Sequence, residues 1–310
     1  MFWFAKKFNL PAAAHYQKNL SRSGSPLDMI WYPSELVKAE GPVKPLAAYY
    51  RASEVATMRG AWNDEKAWFV GFKAGDNKAN HSNLDIGSFV LDALGKRWVV
   101  DLGADNYNAP GYFSTGANGG RWNYYRMRAE SHNTIVLNPG KKADQDPLAE
   151  AKIVKFDTKN ATAFAIADIT TAYAPEAGSV QRGIALADGK TAIIRDEIKT
   201  DKPSSLWWFM HTRAAVRLSG NRRSATLTMD NEKVVAEIVS PAKAKFTVMD
   251  AVPLATSPQP AENNKNEGVR KLSINLGNVT EENIVVIIRP VTGKASGTNS
   301  FYKSLSDWKL

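Results

Sequence analysis

Four histidines are spread over 310 residues: His15, His81, His132 and His211. Three of them stand beside runs that read as strands. The stretch "HSNLDIGSF" (81–89) places a histidine, an asparagine and an aspartate within five residues and then turns apolar. In extended backbone alternate side chains share a face, so His81, Asn83 and Asp85 are expected to point one way. Asp101 ends the run "KRWVVDLG", and a hairpin would return it beside His81. His132 opens "HNTIVLN", and His211 sits inside "SLWWFMHT".

Such a set supports two kinds of chemistry. Zinc takes imidazole nitrogen and carboxylate oxygen, and catalytic zinc sites often use three protein ligands. His81 or Asn83, with Asp101 and His132, would supply them, although no short-range motif such as His-Glu-x-x-His is present. A hydrogen-bonded cluster tying strand ends together explains the same residues without a metal. The neutral amide of Asn83, a poor zinc ligand, favours that alternative.

The second chemistry is proton transfer at a carbon next to a carboxylate. It needs a base near the C–H, an acid at the leaving oxygen and a group that neutralises the carboxylate. The stretch "GADNYNAPGYFSTGANGGRWNYYRM" (103–127) and its flank hold Tyr107, Tyr112, Tyr124, Tyr125, Arg121, Arg126 and Arg128. Tyrosine and histidine serve as base and acid; arginine, asparagine and protonated histidine neutralise a carboxylate. The same mixture suits sugar binding, because aromatic faces stack on pyranose rings and amides bond hydroxyls. Packing of these rings onto the body of the protein is the structural alternative.

The elements that must position these groups are strands. From about residue 45 the chain runs through "EVATMRGAW", "KAWFVGFKAG", "GSFVLDALG", "KRWVVDLG" and "HNTIVLN", and later through "ATAFAIADI", "GIALADGKTAIIRDEI", "SLWWFMHT", "KVVAEIVS", "KLSINLG" and "NIVVIIRPV". These are short apolar or alternating runs separated by turn residues. Asp188-Gly189 between two apolar runs signals a hairpin. Many strands without long helices between them predict a mainly β fold, a large antiparallel sandwich. Residues 1–44 differ. "MFWFAKKFNLPAAAHYQKNL" has Phe4, Phe8 and Leu10 near helical spacing, Pro11 can open a second helix, and "SPLDMIWYP" reads as another helical turn. Short helices cannot cover so many rings, so this segment is expected to pack on something else. The division is therefore 1–44, helical segment and linker, and 45–310, sandwich. Between strands, the 103–127 stretch is too long for an ordinary connection, and such loops are usually functional. "SPQPAENNKNEG" (257–268) has no apolar anchor and reads as a flexible surface loop.

Composition narrows the partners. The formal net charge is +9, which favours anionic partners. The Lys and Arg are scattered, and neither a zinc-finger spacing nor an Arg-rich arm points to nucleic acid. Cysteine is absent, so disulfides and thiol chemistry are excluded. No apolar run approaches membrane-spanning length. The start "MFWFAKKFNL" lacks the order of a signal peptide, so either the protein stays in the cell or the chain begins downstream of its targeting signal.

"NHSNLDIGSFVLDALGKRWVVDLGADNY" followed by "YYRMRAESHNTIVLN" resembles the signature of the heparinase II/III-like polysaccharide lyases, from about Gly71 to Asn138. The resemblance implies an α/α toroid followed by a C-terminal β-sandwich, with the substrate cleft between them. Residues 1–44 then look like the last helices of that toroid. It implies β-elimination on an acidic, uronic-acid-containing polysaccharide, in a periplasmic or secreted enzyme. A tyrosine, assisted by histidine, removes the proton beside the carboxylate. By position, His81 matches a histidine near the substrate, and Tyr112 or Tyr124 matches the tyrosine lining the cleft. Arg126, Arg128 and His211 stand as substrate contacts. Asn83, Asp101 and His132 match the ligands of a structural zinc.

Overall fold

Alternation of apolar and polar residues builds the first sheet. Val55–Arg59 and Phe69–Lys73 bury every second side chain, and Phe89–Ala93 does the same. With Ala47–Tyr50 at one edge and Lys96–Val99 at the other, they form a five-stranded antiparallel meander in chain order. The computed structural model describes residues 1–20, 24–38, 44–174, 176–292 and 298–310. These fall into two compact units, Met1–Pro45 and Leu46–Leu310.

The second sheet of the larger unit has eleven strands among the described residues. Its centre is two long strands, Thr191–Thr212 and Arg270–Pro290, paired antiparallel. Several runs expected as separate strands are fused in them: "TAIIRDEI" continues into "SLWWFMHT", and "KLSINLG" into "NIVVIIRPV". The hairpin at Asp188-Gly189 is present, with φ of 50° and 65° and Ala187 paired to Thr191. Left-handed backbone at both positions is what aspartate and glycine tolerate.

Each long strand sends alternate side chains to opposite faces. Ala192, Ile194, Leu206, Trp208 and Met210 join Met58, Phe72, Phe89 and Leu91 of the first sheet in one core, so the two sheets close on each other as a sandwich. The other face is covered twice. Ile193, Val285 and Ile287 pack under Phe301, Leu305 and Trp308 of the C-terminal segment. Phe209 packs under Tyr112, Trp122 and Tyr124 of the aromatic stretch.

The C-terminal cover meets the sheet at Gly183. A Cβ there would lie 2.3 Å from Leu305 Cδ2 and 2.7 Å from the Trp308 ring. Gly183→Ala is therefore expected to cost about 1–3 kcal/mol by overpacking, read as a lowered urea midpoint; an unchanged midpoint would show that the segment lifts away freely.

The smaller unit contains helices Phe2–Phe8, Pro11–Leu20 and Pro26–Trp31. Ser25 closes the third at its N-terminus: its backbone N–H donates to Asp28 Oδ2 at 2.8 Å. Phe2, Ala5, Ala14 and Val37 form the buried apolar cluster of this unit among the described residues. Phe4, Phe8, Leu27, Met29 and Ile30 are exposed, which matches the excess of apolar side chains over what short helices cover. The linker expected before residue 45 includes 39–43, which lie outside the described residues.

Candidate functional site

The expected extended segment at 81–85 is a turn instead. His81 adopts left-handed backbone with φ 59°, and Ser82 N donates to Ala79 O at 3.0 Å. The three side chains consequently diverge. His81 is exposed and stacks on Tyr107, ring centroids 6.0 Å apart and 14° from parallel. Asn83 Oδ1 accepts from Arg121 Nη2 at 3.2 Å. Asp85 pairs with Lys73.

The following "IGSF" is pinned from four directions. Gln145 exchanges two hydrogen bonds with Ile86, Thr134 Oγ1 donates to Ile86 O, Asn133 Nδ2 donates to Phe89 O, and Arg182 Nη1 donates to Gly87 O at 2.7 Å. Gly87 has φ 86°, and a Cβ there would sit 2.8 Å from Thr134 Oγ1. The glycine is needed on both counts.

The 103–127 stretch folds into short 3₁₀ turns, Gly120–Asn123 and Tyr125–Met127, closed by its own side chains. Tyr124 OH donates to Pro110 O at 2.7 Å and Trp122 Nε1 to Gly116 O at 2.9 Å. Arg121 is buried and acts as the fastener. It donates to Tyr112 O and twice to Ser82 O at 2.8–3.0 Å, with its guanidinium 4.4 Å from the Tyr112 ring centre. The loop is thereby held against the His81 turn. Two rings remain outside: Tyr107 is 47% exposed and Phe113 62%. The Tyr107 hydroxyl has no hydrogen-bond partner among the described residues.

Several expected site residues are interior instead. Tyr112 and Tyr124 are buried within the loop, and the Tyr124 hydroxyl is taken by Pro110 O. Arg128 is fully buried against Asp144 and donates to Trp122 O at 2.8 Å. Burial pushes the Asp144 carboxyl up to about 6, with Arg128 opposing. His211 lies on the Trp207–Phe209 side of its strand, and its Nε2 hydrogen-bonds with Tyr125 OH at 2.9 Å. Burial, with the charges of Lys271 and His132 adding to it, pushes His211 well below its ordinary pKa. It is a fully buried histidine of the core. Arg126 is half-buried and spends its guanidinium on Asn266 Oδ1 and Ala104 O, both at 2.8 Å. The 257–268 segment is correspondingly anchored, by polar groups: Ser257 Oγ donates to Glu130 at 2.6 Å, and Asn263 accepts from Tyr125 N at 2.9 Å.

His132 and Asp101 do meet. His132 is buried, and its Nδ1 lies 2.8 Å from Asp101 Oδ2. Burial works against the imidazolium, but the carboxylate outweighs it and holds the His132 pKa above its usual value. For Asp101 burial pushes upward, and the His132 charge and hydrogen bond, with Gly103 N–H, outweigh it and hold the carboxyl well below the usual range. His132 thus gives stability that is full below about pH 6.5 and lost as pH rises through its folded pKa. Asp101 gives stability that is full above about pH 3.9 and lost as pH falls through its own. Asp101→Asn is expected to lower the urea midpoint most between about pH 4 and 6.5, with the gap closing at higher pH. A gap that widened above pH 7 would reverse the assignment of charge.

Zinc does not fit these donors. Among the described residues no three His, Cys, Asp or Glu side chains converge on a metal position. Asp101 and His132 bond to each other, and the third expected ligand, Asn83, faces the Arg121 cation. His132 Nε2 is buried without a partner among the described residues.

The comparisons with known proteins agree with this architecture. The family model Heparinase II/III-like, C-terminal, matches residues 43–296. Among solved structures, the chain is similar to a mutant of heparan sulfate lyase HepC from Pedobacter heparinus: TM-score 0.67 at 15% identity, covering 94% of this chain and 41% of that one. A heparinase III gene product gives 0.68 at 16%, covering 93% and 40%. Another heparinase III gives 0.65 at 14%, covering 90% and 43%. At these identities the likeness is one of fold, and the chain spans about two-fifths of each structure. No curated protein sequence matches. With the family model running through both sheets and the His81–Asp101–His132 region, the chain belongs to the heparinase II/III-like family, in its C-terminal domain.

Proposed function

We propose that this chain is the C-terminal part of a polysaccharide lyase that cleaves uronic-acid glycans by β-elimination. The observation that carries the reading is the exposed imidazole of His81 stacked on the exposed phenol of Tyr107. In such a reaction the C–H beside the carboxylate and the C–O bond to the next sugar break. A carbon–carbon double bond forms, and the departing oxygen takes a proton. A tyrosine in its phenolate form can take that proton and, as the phenol so formed, hand it to the departing oxygen, and an imidazole can hydrogen-bond the carboxylate as negative charge builds on it. The net charge of +9 suits an anionic polymer. A periplasmic or secreted location follows from the same reading. The helices of Met1–Pro45 would belong to a larger helical domain.

A second reading is a carbohydrate-binding module without turnover. The exposed rings of Tyr107 and Phe113 favour it, since aromatic faces can stack on a sugar without turning it over. The test is incubation with uronate-containing polysaccharide, following unsaturated ends by ultraviolet absorbance and reducing ends chemically. Unsaturated product supports elimination. Saturated reducing ends would replace it with hydrolysis, and tight binding without either product would select the binding module.

A further inference from the structure

The loop that presents Tyr107 has a second limb. Its two limbs meet back to back where Gly111 and Gly120 touch: a Cβ on Gly111 would lie 3.3 Å from Gly120 Cα. One limb carries Tyr107 and Phe113. The other, residues 117–123, walls a pocket of about 450 Å³ completed by residues 141–147, Ala172–Ala174 and Glu176. That volume falls within the ~300–1,000 Å³ of small-ligand sites.

The wall is built before any ligand arrives. Gly119 has no room for a side chain, since a Cβ would meet Ser114 O at 2.0 Å, and Trp122 is fixed through Gly116 O at 2.9 Å. The polar groups on the wall are unevenly committed. Both oxygens of Asp144 are taken, by Arg128 and by Glu130 N–H. Asp146 Oδ1 accepts from Leu148 N at 2.8 Å. Burial raises the pKa of the Glu176 carboxyl, and the nearby charge of Lys142 opposes it. Asn118, Asn123 and Lys141 have no side-chain partner among the described residues, and all three are exposed. The pocket thus offers two free amides and two exposed lysines, Lys141 and Lys142, beside a tryptophan, with Lys142 the nearer charge to Glu176.

We propose that this pocket is a second glycan subsite, which takes a pyranose carrying one anionic group, a carboxylate or a sulfate. Lys141 contacts the anion, and Asn118 and Asn123 bond ring hydroxyls. The proposal rests on the glycan reading above. Arg121 joins this wall to the His81 turn through Ser82 O, so one rigid loop serves both positions.

The test is calorimetric binding of the full chain to a uronate oligosaccharide, its O-sulfated counterpart and a neutral oligosaccharide. Lys141→Ala is expected to weaken acidic-ligand binding about tenfold, the loss of one charge-assisted hydrogen bond, and to leave the neutral ligand unchanged. Lys141→Arg should retain affinity. The acidic oligosaccharide that loses more identifies the anion. Binding that survives Lys141→Ala and Asn118→Ala, yet falls with Tyr107→Ala, overturns the subsite and leaves the glycan reading standing. No binding of any glycan by the unaltered chain removes both.

Discussion

Arg182→Met is expected to destabilise the sandwich by about 3–5 kcal/mol, the cost of breaking a buried ion pair from one side. The Arg182 guanidinium is fully buried and faces Asp196 with two hydrogen bonds, of 2.6 and 2.9 Å. Its remaining Nη1 donates to Gly87 O at 2.7 Å and to Asn133 O at 2.8 Å. Methionine keeps the stem and removes every donor. The Asp196 carboxylate is then buried without a counter-charge, and two carbonyls lose a partner. Those carbonyls belong to the turn that follows His81 and to the residue that follows His132, so the variant should also loosen the candidate site. Urea unfolding measures the first effect. Arg182→Met with Asp196→Leu should recover much of the loss, because apolar pairs often replace buried ion pairs at little cost. A single variant with an unchanged midpoint would mean that water reaches Asp196.

The strands were legible because their signal is local. Alternation over five residues names a strand and its buried face, and Asp188-Gly189 names its own turn. A hairpin is expected to return the Asp101 carboxylate beside His81; it meets His132 instead, while His81 turns out onto Tyr107. What could not be read depends on partners far along the chain. Arg128 stands in a stretch of tyrosines and arginines, and the buried Asp144 that pairs with it lies sixteen residues on. Glu130 and Lys271, an ion pair with both side chains fully buried, are 141 residues apart. His211 is interior because of its parity with Trp207 and Phe209, and that parity has meaning only once the loop lies on that face. The 257–268 segment looked loose because it lacks apolar residues, yet asparagines hold it to the aromatic loop. Tyr112 and Tyr107 are indistinguishable in composition. Arg121 separates them, covering the first ring with its guanidinium and leaving the second outside.

Tyr107→Phe and His81→Asn are each expected to lower the formation of unsaturated product by about 10²–10⁴-fold, the usual worth of a general acid–base group. The substitutions are chosen to spare the fold. Phenylalanine keeps the ring that stacks on His81 and Phe113 and removes only the hydroxyl, which has no partner to lose among the described residues. Asparagine tolerates the left-handed backbone at φ 59° that alanine would strain. Melting temperatures should therefore stay close to that of the parent. The kinetic pattern separates proton transfer from simple stacking. If Tyr107 moves a proton, Tyr107→Phe lowers kcat with little change in KM, and Tyr107→Ala adds a rise in KM. If the ring only supports a sugar face, Tyr107→Phe behaves as the parent and Tyr107→Ala alone is impaired. His81 adds the further distinction. An imidazole that stabilises charge developing on the carboxylate acts in the transition state, so its loss falls on kcat. Loss of an imidazole that merely props Tyr107 would instead weaken ground-state binding, so the effect of His81→Asn would fall on KM with kcat little changed.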